Sequence, residues 1–91
     1  MSKIANLAPI IRHHHERYDG KGYPDGLKGK AIPLGSRILS IAESYDFMIT
    51  PHSFGNLKSR DEALIELERC SGTQFDPEII KLVCITDLLE A

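Results

Sequence analysis

HHHERYDGKGYPDG, residues His13 to Gly26, sets a histidine cluster directly before a glycine-punctuated turn, so a polar site stands where a helix gives way to a loop. Upstream, Ile4, Leu7, Ala8 and Ile11 recur at helical spacing and Ser2 can cap the first turn. That pattern predicts an amphipathic helix from about Lys3 to Arg17, its apolar face turned inward and running on to His14, His15 and Tyr18. Downstream, Asp19 to Pro33 holds four glycines and two prolines, too much punctuation for a helix or long strand, and reads as a structured loop. Pro33 is placed as a first-turn residue of a second helix, carried by Leu34, Ile38, Ile41, Ala42 and Tyr45 as far as Met48 or Ile49. Pro51 to Lys58 is the next break.

Ser59 and Glu62 then make a capping box for a helix turning Ala63, Leu64, Leu67 and Cys70 inward, with Gly72 ending it. Asp76 and Pro77 read as cap and first residue of a last helix with Ile80, Val83, Cys84 and Leu88 on one face. The expectation is one all-α unit over residues 1–91, a small bundle of about four helices with a structured loop after the first.

A chain of 91 residues is one small domain at most and buries roughly 60 to 70% of its unfolded surface. Charge is mixed, with a formal net charge of -2 and no like-charged block, which argues against nonspecific binding to nucleic acid. The longest apolar stretch, Ile79 to Ile85, is interrupted by Lys81, far short of the ~20 apolar residues that cross a bilayer. Met1-Ser2-Lys3 leads straight into the amphipathic segment, without the pattern of a signal peptide. Cys70 and Cys84 are isolated thiols in apolar surroundings, the usage of buried free cysteines in a reducing cytosol.

Adjacent histidines on a helix point about 100° apart, so His14 and His15 can both border the inward face. A buried imidazole needs a hydrogen-bond partner or a metal, because an unsatisfied polar group costs ~1 to 3 kcal/mol. Two imidazoles with carboxylates nearby, available in Glu16, Asp19, Glu43 and Asp46, suit a divalent metal. Asp19 is close enough in sequence to hold a histidine tautomer. Glu43 and Asp46 are three residues apart and share a helix face. The alternative for the histidines is a surface cluster, and for the carboxylates a solvated pair.

The order of residues resembles the HD-GYP family of bacterial metal-dependent phosphohydrolases, whose second signature reads HHE, two residues, then DGxGYP. His14, His15, Glu16, Asp19, Gly20, Gly22, Tyr23 and Pro24 fall on that pattern. The resemblance extends through IPLGSRI, the segment ILSIAESYDF from Ile38 to Phe47, and SGTQFDPEII from Ser71 to Ile80. It implies the C-terminal half of an HD-type helical domain. It also implies His14 and His15 as metal ligands, Glu43 at the position of a metal-ligating aspartate, and Glu16 and Asp19 in supporting roles. His13 lies outside the matched pair and is expected to face solvent or be auxiliary. Gly20, Gly22, Tyr23 and Pro24 form a loop that the family links with docking to partners such as diguanylate cyclase (GGDEF) domains.

Three departures accompany the match. The His-Asp doublet that names the family is absent from the chain. Glu43 is one methylene longer than aspartate, which shifts its oxygens by about 1 Å. Where the family grips substrate phosphate with a basic stretch, this chain has Pro51, His52, Ser53, Phe54, Gly55 and Asn56, with Lys58 and Arg60 the nearest cations. The resemblance therefore implies a cytoplasmic bacterial cyclic di-GMP phosphodiesterase ancestry, iron or manganese as cofactor, and poor catalysis by this chain alone. Activity would require the missing N-terminal half, from a longer parent or a partner chain; the alternatives are a non-catalytic module docking through the GYP loop, and a helical remnant that covers its bare face by self-association.

Overall fold

The computed structural model of the chain describes residues 3–51 and 57–86. Four helices follow in order: α1 (Lys3–Arg12), α2 (Leu34–Ile49), α3 (Arg60–Arg69) and α4 (Pro77–Thr86), with a 3-10 turn at Gly29–Ala31 before α2. Among the described residues the extended pairing is one isolated bridge between Ser71 and Phe75, so the all-α expectation holds. Ser2, residues 52–56 and Leu88 lie outside the described residues, as does the side chain of Ile4.

The core lies among α2, α3, α4 and the turn before α4. Ile41, Tyr45, Ala63, Leu67, Phe75, Ile80 and Val83 are all buried in one cluster. Local capping sets two of these helices. Ser59 Oγ accepts the Glu62 N–H at 3.2 Å while the Glu62 carboxylate accepts the Ser59 N–H at 2.8 Å, which satisfies two donors at the start of α3. Asp76 Oδ1 accepts the Glu78 N–H at 2.9 Å, and its other oxygen takes the Arg37 guanidinium at 2.7 Å. Arg37 Nε also donates to the Ile32 carbonyl at 2.9 Å. One buried carboxylate thus ties the starts of α2 and α4 together.

α1 meets α2 closely at Ile10. Ile10 packs where a Cβ on Gly35 would lie 2.7 Å from its Cδ1, and Ser36 Oγ donates to the Ile10 carbonyl at 2.7 Å. Leu7, Ala8 and Ile11, expected inward, are exposed, as are Leu34 and Ile38 on α2. Periodicity finds an apolar face but not how much of it is covered, and about half of each of Leu7, Ile11, Leu34 and Ile38 stays open.

α1 also ends at Arg12, not near Arg17. The His13 N–H still reaches the Pro9 carbonyl at 3.1 Å, but the Glu16 N–H turns to the His13 carbonyl in a tighter turn. Gly22 explains the stop. A Cβ there would lie 2.4 Å from the Arg17 nitrogen and 2.5 Å from the His15 carbonyl oxygen, so the returning loop is pressed against the backbone that the helix would have continued through. The loop is then hooked to the turn before α4, with Tyr18 N–H on the Gln74 carbonyl at 3.1 Å and Asp19 N–H on the Thr73 carbonyl at 2.8 Å.

No helix among the described residues is long and apolar enough to cross a membrane. Cys70 and Cys84 are free and half-buried. Burial pushes both thiols up, that of Cys84 to about 11.

Candidate metal centre

The early end of α1 places the histidines in a turn, and the turn brings them to α2. Their rings lie 3.9 Å apart between centroids, tilted by 40°. His14 Nε2 stands 3.4 Å from Glu43 Oε2, and one donor atom from each of His14, His15 and Glu43 falls within 4.8 Å of the others. For metal–ligand bonds of ~2.0–2.2 Å, tetrahedral geometry separates neighbouring donors by about 3.4 Å. The separation of His14 Nε2 and Glu43 Oε2 matches that spacing.

His14 is oriented by main chain. Its Nδ1 lies 2.5 Å from the Ile11 carbonyl oxygen, an acceptor only, so Nδ1 carries a proton while Nε2 is the nitrogen that faces Glu43. His15 is braced by Tyr23, whose ring stacks on it at 5.2 Å and 22°. His14 is mostly enclosed, with 17% of its side chain exposed, whereas Glu43 is 55% exposed and His15 is also open. Two imidazoles and a carboxylate with one open side make a donor set that fits a divalent transition metal and leaves room for water or substrate.

Glu16 does not turn toward this cluster. It is buried, and its oxygens accept the N–H of Asp25 at 2.9 Å, the N–H of Leu27 at 3.0 Å and His13 Nδ1 at 3.0 Å. Burial would push its carboxyl up, but these donors outweigh it and hold the carboxyl below its ordinary range. His13, expected to face solvent or be auxiliary, is mostly enclosed and takes the auxiliary part, as the partner of Glu16 and Asp25. His13, Glu16 and Asp25 also bring donor atoms within 4.8 Å of one another. Because the Arg12 guanidinium holds Asp25 at 3.2 Å and backbone donors occupy Glu16, that group is a brace for the loop.

Asp19 is engaged by Arg17 at 3.2 and 3.1 Å and by the Lys21 N–H at 3.0 Å, and the Arg17 hydrogen bond lowers its carboxyl. Gly20 takes a left-handed φ of 84° in this turn. Tyr23 and Pro24 edge a second, apolar groove with Leu7, Ala8, Ile11 and Arg12, and Tyr23 keeps 63% exposure. Asp46 accepts the Thr50 hydroxyl at 3.2 Å, away from the histidine pair. Lys58 is half-buried and its charge helps lower the carboxyls of Glu62 and Glu66.

A cleft of about 380 Å³ opens from the candidate metal cluster, sharing His15 and Glu43 with it and reaching Ser44, Phe47, Glu66 and Gln74. Gln74 and Glu66 were not singled out from sequence. Gln74 lies inside the SGTQF segment, which was a signal for it; Glu66 had none, being one carboxylate among several on an amphipathic helix.

The family described as HD domain matches residues 1–79. A cyclic di-GMP phosphodiesterase of Thermotoga maritima is 42% identical over 74 residues, covering 81% of this chain and 20% of that protein. A 3'3'-cGAMP-specific phosphodiesterase 1 of Vibrio cholerae is 42% identical over 72 residues, covering 78% of this chain and 17% of that protein. Among solved structures, a cyclic GMP-AMP specific phosphodiesterase of V. cholerae matches with a TM-score of 0.76 at 34% identity, covering 93% of this chain and 21% of that one. The chain thus spans about a fifth of the length of these relatives. With the family match running through α1, α2, α3 and into α4, and the His14 to Pro24 motif folded around the candidate metal cluster, the chain belongs to the HD domain family, in its HD-GYP branch.

Proposed function

We propose that this chain supplies one side of the metal site of a phosphodiesterase acting on cyclic di-GMP or a related cyclic dinucleotide. The observation that carries the reading is the His14, His15 and Glu43 donor set, with the His14 tautomer fixed by the Ile11 carbonyl. Relatives named as cyclic di-GMP and cGAMP phosphodiesterases support the substrate class. Iron or manganese suits two imidazoles and a carboxylate. A bound divalent ion polarises a phosphate oxygen and acidifies a water toward hydroxide.

The chain's own residues then have separable tasks. Ile11 aims His14, Tyr23 steadies His15, and Glu43 adds negative charge on the open side. Glu16 and His13 hold the loop that carries Tyr23. The sequence contains no His-Asp doublet, so those donors come from a longer protein or a partner chain, and efficient catalysis is not expected of these 91 residues alone. The two free thiols fit a cytoplasmic setting. Docking of a GGDEF domain or a second copy through Tyr23, Pro24 and the exposed Leu7 and Ile11 is the lesser reading, supported by their exposure alone.

A chimera tests the main reading. The T. maritima relative with its matching segment replaced by this one should hydrolyse cyclic di-GMP, and His14→Ala should lower the rate by at least about 100-fold. A folded, metal-loaded chimera without hydrolysis, or one indifferent to His14→Ala, would contradict it.

A further inference from the structure

The cleft beside the metal cluster has a chemistry of its own. Its volume, about 380 Å³, is in the range of small-molecule sites. Its lining includes His15 and Glu43 of the candidate metal cluster, Phe47, which is 59% exposed, and Glu66. We propose that this cleft receives a guanine base of the substrate, with Phe47 as its stacking surface and Glu66 Oε1, whose second lone pair is left open by Arg69, accepting from both the N1–H and the 2-amino group of the base. The inference rests on the cyclic-dinucleotide reading above and adds to it the residue that reads the base.

The chemistry favours guanine over adenine. An ionised carboxylate only accepts hydrogen bonds and has about four lone-pair sites. Guanine presents two adjacent donors on its Watson–Crick edge, whereas adenine presents the N1 lone pair there, which a carboxylate repels. Glu66 is kept ionised by Arg69, which donates from Nε at 2.9 Å and from a terminal nitrogen at 2.5 Å; that pairing brings its carboxyl down to about 2. The Cys70 thiol is a weaker donor at 3.6 Å and can give way. Glu66 remains reachable, with 36% of its side chain exposed. An aromatic face then adds stacking that is indifferent to base identity.

GMP and AMP, which share a phosphate and differ in the base, separate the contributions when titrated into the isotope-labelled chain in the presence of a chelator. The expected result is saturable NMR shifts around Phe47, Glu66 and Gln74, with GMP bound about tenfold or more tighter than AMP. Glu66→Gln, whose fold is checked in the same spectra, should abolish that preference. Phe47→Ala should weaken both nucleotides by about tenfold. Equal binding of the two nucleotides, no saturable shift with GMP, or a preference unchanged in Glu66→Gln would overturn the proposal. Because no metal is present, failure here with metal binding intact removes the base subsite alone, and failure of metal binding with the GMP preference intact removes the metal-site reading.

Discussion

His14 Nδ1 meets the Ile11 carbonyl at 2.5 Å and His13 Nδ1 meets Glu16 Oε2 at 3.0 Å, so two neighbouring imidazoles take different parts. The first belongs to the candidate metal cluster with His15 and Glu43, and the second holds a loop. Glu16→Gln should destabilise the chain by about 1–3 kcal/mol at pH 7, because an amide nitrogen would face one of the donors now satisfied. The same carboxylate gives a pH dependence of definite sign. Its folded pKa is below the ordinary 4.5, so its stabilisation is complete above about pH 4.5 and is lost as pH falls through the folded value. Urea unfolding at pH 7 and pH 3 should show the gap between wild type and Glu16→Gln narrowing at the lower pH; a constant gap would contradict the assignment. The proximity of Glu43 to His14 was legible in the motif. The role of His13 was not, since it depends on Asp25 and Leu27 returning to Glu16 from nine and eleven residues away.

The helices most readable in the sequence were those with caps made of near neighbours. Ser59 with Glu62, and Asp76 with Pro77, set α3 and α4 where the residues predict them. Pro33 precedes the first turn of α2 by one position, a difference within the fraying of helix ends. α1 was misjudged at its end because the stop is tertiary: Gly22 must approach the backbone of His15 to Arg17, and no local signal at Arg12 announces it. Asp76 does more than its cap predicted, since it is fully buried against Arg37. Asp76→Ala should therefore cost about 3–5 kcal/mol, more than a lost cap, because it leaves a guanidinium mostly enclosed and unpaired. Chemical denaturation gives the value, and a loss near the ~1 kcal/mol of an ordinary cap would show that the pair contributes little.

For the molecule as a whole, α2, α3 and α4 enclose the core, while α1 and the loop carry the histidine turn of the candidate metal site across one end of it. The all-α class and the core positions on α3 and α4 could be read from apolar spacing. Leu7, Ile11, Leu34 and Ile38 could not be assigned correctly, because the same spacing describes an apolar face whether it is covered within the chain or by something outside it. The chain spans about a fifth of the relatives that share its fold, in keeping with a site whose Glu43 side lies open.

The most direct test of that one-sided metal site is a zinc titration of the chain, read by NMR at the imidazoles of His14 and His15. Saturable shifts at both rings are expected, with affinity falling by about 10–100-fold or more in His14→Ala and in Glu43→Gln. Shifts that do not saturate, or that persist unchanged in both variants, would contradict it.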